Sequence, residues 1–217
     1  MALPYTWQLI TLAILLGKRP PTPLSDAEER GLMDWVWVTT YGEVFAGVNS
    51  AIYDRASDAL QKMMQGTSWK GTSMAGDVSA YVEEITRFDF RAARAKAFAL
   101  VLAREFDGGK QEGDGHRALA ERGAQALETL RPGKPRSDWS ELTIVPSLED
   151  LRAVRELLKV DQQQVLWPAG GPGVSPSQLG FPGDDFPGDV DAWMKARRSH
   201  LLKMEKEFVK SLELHWR

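Results

Sequence analysis

Two short patterns constrain this chain more than any others: Ser25-Asp-Ala-Glu28 and Ser147-Leu-Glu-Asp150. In each, a hydroxyl residue stands three places before an acid. That is how a helix start satisfies its free amides, the hydroxyl accepting from one and the acid reaching back to another. After the first pattern Leu32, Trp35, Val36 and Thr39 recur at helical spacing, and Met33, Trp37 and Val38 fill the other faces. The spacing predicts a helix buried nearly all round. Trp35 to Tyr41 is also rich in β-formers, so a strand competes, but the capping pattern favours helix. The second pattern predicts a helix running to about Val160.

The rest of the chain punctuates in the same way. Tyr5 to Gly17 reads as a helix stopped by Gly17 and by Pro20, Pro21 and Pro23. Further helices are predicted at about Asn49–Met64, Asp77–Thr86, Phe90–Glu105 and His116–Leu130, with polar or Gly-rich turns at 66–76 and 107–115. Between Pro168 and Gly188 stand five prolines and six glycines, a density that predicts a long surface loop without regular elements. The last and longest helix is predicted from Val190 to about His215, with Trp193, Leu201, Met204, Phe208 and Leu212 as its apolar stripe. The expected fold is all-α: one irregular bundle of seven or eight helices over 1–217 and no convincing strand. It comprises a main bundle at 1–167, a Gly/Pro-rich loop at 168–188 and a long terminal helix at 189–217.

With 43% apolar and 26% charged residues in 217, the chain can build a real core and does not read as disordered. A net charge of -3 gives no global pull toward nucleic acid, so any such contact needs a local patch. The absence of cysteine excludes disulfides, thiolate metal sites and cysteine nucleophiles, and fits a reducing cytoplasm. The apolar run Leu3–Leu16 has its basic residues, Lys18 and Arg19, after it rather than before. It is also shorter than the ~20 residues of a membrane span, so it is expected to be a buried helix.

Two segments carry a resemblance. Trp35 to Arg55 contains a Tyr-Gly…Phe-Ala-Gly…Asn-Ser turn, and Phe88 opens a Phe-Asp-Phe-Arg-Ala-Ala-Arg stretch within Arg87–Ala103. Together they resemble the C-terminal helical half of GmrSD-like restriction proteins. Leu3-Pro-Tyr-Thr-Trp-Gln-Leu resembles that family's entry into the region. Gln164-Val-Leu-Trp-Pro168 resembles its Asn-Arg-Leu-Leu-Pro segment, and Trp193-Met-Lys-Ala-Arg197 its Phe-Leu-x-x-Arg pattern. Tyr41-Gly42 lacks the hydroxyl of the family's Ser-Phe-Ser-Gly, and the arginine of the family's Asn-Arg motif is missing here, where Gln164 and Val165 stand. The resemblance implies nucleotide-dependent restriction of foreign, often modified, DNA. It assigns the chemistry to a ParB-like domain with an Asp-Gly-Gln-Gln-Arg signature, which is absent from this sequence. The expected function is therefore a non-catalytic module that positions a catalytic partner, contacts DNA or regulates assembly; the alternatives are a free-standing protein–protein adaptor and an enzyme whose site is not visible in the sequence.

No catalytic, metal or cofactor site is expected. His116, His200 and His215 are scattered, no nucleophile elbow is present, and Gly66–Ser73 lacks the Gly-Lys-Ser/Thr order of a phosphate loop. Binding candidates remain. If Asp89 caps a helix, Arg91 and Arg94 crowd its positive end with Arg87 just outside. Such an arrangement calls either for internal pairing with Glu83 and Glu84 or for a bound anion. Lys195, Arg198 and Lys203 on the last helix are either a solvated face or a DNA contact. Trp69, Trp139, Trp167 and Trp216 fall in predicted loops or at the terminus, where they either mark a partner interface or cover the domain's own gaps.

Overall fold

The computed structural model describes residues 5–109, 113–144, 148–159, 173–183 and 189–217. Among them are seven α-helices: α1 Thr6–Gly17, α2 Asp26–Tyr41, α3 Ser50–Met64, α4 Ala93–Phe106, α5 Asp114–Arg122, α6 Leu148–Lys159 and α7 Val190–Ser211. Four short strands accompany them. β1 (Tyr81–Val82) pairs in parallel with β4 (His215–Trp216), and β2 (Leu127–Thr129) pairs antiparallel with β3 (Leu142–Ile144). The fold is mostly helical, as the capping patterns predict. The chain forms two compact units. The first takes residues 5–84, Ala92–Ala97 and Glu207–Arg217; the second takes Ile85–Arg91 and the described residues of Phe98–Lys206.

In the first unit the predicted capping box forms: the Glu28 amide donates to Ser25 Oγ, and Glu28 accepts the Ser25 amide at 2.8 Å. Asn49 caps α3 through the Ile52 amide. Helices α2 and α3 then meet so closely that a Cβ on Gly31 would lie 2.1 Å from the Met63 carbonyl oxygen. Trp35, fully buried, crosses the same junction and donates its indole N–H to the Ala56 carbonyl at 2.8 Å. Around it pack Tyr41, Phe45, Ala59, Leu60 and Met74. Small residues let two backbones approach, and the large rings fill the flanks.

Helix α1 forms where expected but faces the other way. Its buried residues are Gln8 and Thr11, whereas Leu9 is 58% exposed and Ile14 46%. The cause is partly polar. Gln8 Nε2 donates to Val36 O and to the hydroxyls of Thr39 and Thr40 at 2.8–3.0 Å, so its own buried amide is satisfied on α2, while Leu12 and Leu15 pack against the core. Among the described residues no helix is long and apolar enough to cross a membrane.

Four boundaries differ from the sequence reading. Residues 77–86 are not helical. Tyr81 and Val82 are extended because the returning C-terminus pairs with them, the His215 amide donating to Ala80 O and the Arg217 amide to Val82 O, each at 2.8 Å. Helix α5 stops at Arg122, since Gly123 takes a left-handed φ of 56°; the expected helix to Leu130 gives way to β2. Helix α4 starts at Ala93 rather than after Asp89. Helix α7 ends at Ser211, and Glu213, at a φ of 59°, turns the chain into β4. In the Gly/Pro-rich stretch, 168–172 and 184–188 lie outside the described residues, as do Ser147 and Trp167. Within 173–183 a 3-10 turn forms at Ser177–Leu179, and Val174, Leu179 and Phe181 are buried, with Phe181 stacked on Trp193 at 3.7 Å.

The Gly31 contact makes a direct prediction. Gly31→Ala should destabilise the protein by about 3 kcal/mol in a denaturant titration, because backbone rather than a flexible side chain must yield. Gly17→Ala, with nothing within 4 Å of the added carbon, should be neutral or slightly stabilising. Equal stability of the two variants would contradict the close approach.

Candidate functional site: an arginine-lined cleft

The second unit is organised around a cation in its interior. Arg197 lies on the buried face of α7 with no exposed surface. Its guanidinium donates from Nε to Leu179 O at 2.7 Å, from Nη2 to Leu142 O at 2.6 Å, and from Nη1 to Ser140 O. Burial pushes its pKa down to about 9, against the upward pull of Glu141 and Asp138, so it stays charged at neutral pH. Arg131 ties the buried Glu141 to Asp191, and Arg155 donates to Thr129 O. These contacts hold residues 138–142 and the β2–β3 hairpin against the core.

One wall of a cleft is thereby fixed. The other is the segment just before α4, joined to the first by the Phe88 amide, which donates to Ser137 O at 2.8 Å. Phe88 packs on Phe98, and Phe98 meets Trp139 edge-on at 5.3 Å. Two adjoining cavities open along the seam and share Arg87 and Ser137 as lining. The smaller, about 320 Å³, has Phe88, Phe90, Leu127 and Leu142 on its walls, with Arg91 and Arg136 beside them. The larger, about 500 Å³, is bounded by Thr86, Asp138, Trp139 and Arg198.

Four arginines thus meet two aspartates around the cleft. Arg91 forks onto Asp89, Nη2 to Oδ2 at 2.8 Å, and this pairing, with the Arg91 amide, holds the Asp89 carboxyl at a pKa of about 2. Arg136 pairs with Glu128 at 2.7 Å. The Arg198 guanidinium lies 5.0 Å from the centre of the Trp139 ring. Arg87 is exposed, is common to both cavities, and its charge helps to lower the Asp89 pKa. Guanidinium groups over aromatic walls suit a planar or phosphate-bearing ligand. Among the described residues no three His, Asp or Glu side chains converge as metal ligands.

The sequence candidates separate accordingly. Arg87, Arg91 and Arg198 line the cleft. Arg94 belongs to the first unit, where it donates to the Glu83 carbonyl at 3.1 Å and lies 4.3 Å from the Tyr41 ring centre. The expected Arg91–Arg94 pair at a helix start is therefore not formed: Arg91 precedes α4 and is held by Asp89. Lys195 and Lys203 are exposed on α7 and line neither cavity. Trp69 and Trp139 are buried, in line with the reading in which they cover the domain's own gaps. Trp69 donates its indole N–H to Leu212 O at 2.9 Å, and both rings are interior surfaces rather than exposed platforms. Trp216 is half-buried in β4. Sequence reasoning missed Arg136 and Ser137, which carry no pattern. It marked Arg197 only as the end of the Trp193-Met-Lys-Ala-Arg197 pattern and gave it no role, although a charge between Trp193 and Leu201 on the apolar stripe signals a buried one.

Comparisons with known protein families, with curated proteins and with solved structures return no match.

If Arg197 anchors the cleft wall, Arg197→Met should cost on the order of 3 kcal/mol, because the carbonyls of Ser140, Leu142 and Leu179 lose their donor in a buried place. Arg197→Lys should recover only part of that, since one ammonium cannot span all of them. Urea denaturation reads both, and a Met variant as stable as the parent would refute the anchor.

Proposed function

We propose that this chain is the non-catalytic helical module of a GmrSD-like anti-phage restriction system, acting in the cytoplasm. In this reading it grips phosphate-bearing ligand, DNA foremost, while a ParB-like partner supplies the chemistry. The observation that carries the proposal is the cleft, where Arg87, Arg91, Arg136 and Arg198 gather on a surface whose chain as a whole is acidic. A local basic patch is what phosphate recognition requires of such a protein. The resemblance supports it from another side, for the Phe88-Asp-Phe-Arg stretch that likens the chain to the family is one wall of that cleft. A protein–protein adaptor with no nucleic-acid role is the second reading, favoured by the apolar face that α1 turns outward at Trp7, Leu9 and Ile14.

Fluorescence anisotropy with labelled DNA over a salt series tests the proposal. The double variant Arg87→Ala, Arg136→Ala should bind about tenfold more weakly with a shallower salt slope, and Lys195→Ala, Lys203→Ala should change less. Unchanged affinity in the first variant would remove the cleft from DNA binding. Partner capture lost in Trp7→Glu, Ile14→Glu, with DNA binding absent throughout, would favour the adaptor.

A further inference from the structure

We propose that the two adjoining cavities form one bipartite site for a single nucleotide unit, its base in the smaller cavity and its phosphate at Arg87. The inference rests on the reading above, that the cleft takes a phosphate-bearing ligand, and adds what the rest of that ligand is.

The two cavities differ in chemistry. The smaller has two phenylalanine rings, Phe88 buried and Phe90 half-buried, set 6.4 Å apart, and two buried leucines behind them. Its volume of about 320 Å³ lies at the lower end of small-molecule pockets and suits one base with its sugar rather than a base pair. Aromatic walls take any base by its π-face. The Asp89 carboxylate also lines this cavity, with both oxygens engaged by Arg91. Orientation follows from the apolar walls of the smaller cavity rather than from charge, since Arg91 and Arg136 border that cavity as well. Arg87 stands on the wall common to both cavities, so a base seated in the smaller one carries its phosphate to that guanidinium. Beyond it the larger cavity has room for a second phosphate near Arg198. Its own carboxylate, Asp138, accepts at Oδ1 from the Ser140 amide at 3.0 Å and hydroxyl at 2.7 Å and keeps its charge, which Arg87 and Arg198 outnumber. A base can reach such a cavity only if unstacked, so a nucleotide within a strand must be single-stranded or extruded.

The test is calorimetric titration of the full chain with dAMP, deoxyadenosine and inorganic phosphate, each alone. dAMP should bind at least about tenfold tighter than either fragment, the gain expected from joining one stacked base to one held phosphate. Ala124→Trp, which fills the smaller cavity from its exposed rim, and Phe90→Ala should weaken dAMP and leave phosphate binding in place. Arg87→Ala should weaken both. Phosphate binding as tightly as dAMP, or dAMP binding untouched by Ala124→Trp in a folded protein, would overturn the proposal. If dAMP fails to bind while Arg87→Ala, Arg136→Ala still lowers DNA affinity, the base site falls and the phosphate cleft stands. If that double variant binds DNA as the parent does, the cleft reading falls as well. Competition between dAMP and a single-stranded oligonucleotide identifies a strand as the source of the nucleotide; dAMP binding without competition identifies a free one.

Discussion

Arg197 carries a full charge into the interior of the second unit, and the shape of the cleft depends on how that charge is met. Moving a guanidinium out of water is costly unless its donors are used. Here they take the carbonyls of Ser140, Leu142 and Leu179, with Glu141 and Asp138 close enough to favour the charged form. Because one planar group binds all of them, the chain at 140–142 has little freedom relative to α7 and to the turn at Leu179. The wall presenting Ser137, Asp138 and Trp139 continues directly from that clamp. A buried polar group is expensive when half-satisfied and rigidifying when fully satisfied, and rigidity is what a recognition surface needs from its support.

The first unit solves a different problem by similar means. Its core is apolar and its two main helices touch at Gly31, and α1 is attached both by the Gln8 amide and by Leu12 and Leu15, which pack against that core. Polar attachment of this kind specifies one orientation of α1 and leaves an apolar face outward. In both units one side chain with several donors, Gln8 or Arg197, crosses to carbonyls or hydroxyls of a distant segment and sets its position.

The parts of this architecture legible in the sequence were those with local causes. Ser25 and Glu28 mark the start of α2, and Asn49 that of α3, through contacts within one helical turn. Where long-range pairing decided the outcome, the local signal misled. Residues near Tyr81 are extended because the C-terminus pairs with them, and α5 stops early because Gly123 adopts a left-handed backbone ahead of a hairpin. The cleft was half legible: Arg87, Arg91 and Arg198 were marked by charge, but the partner wall is joined to them by the single bond from the Phe88 amide to Ser137, which no spacing encodes. For Trp69 and Trp139 the sequence left both outcomes open, and the structure buries them. Loops that dip into a core bury their rings, and composition alone does not say which loops do so.

The central claim is that the segments joined at Phe88 and Ser137 form one ligand surface. Backbone NMR of the labelled protein, titrated with a short 5′-phosphorylated single strand, tests it most directly. The account predicts that the largest shift changes fall together on Arg87–Arg91 and on 136–142, with one saturation curve. Changes confined to the Lys195 and Lys203 region of α7 or to the outer face of α1, or no changes at all, would contradict it.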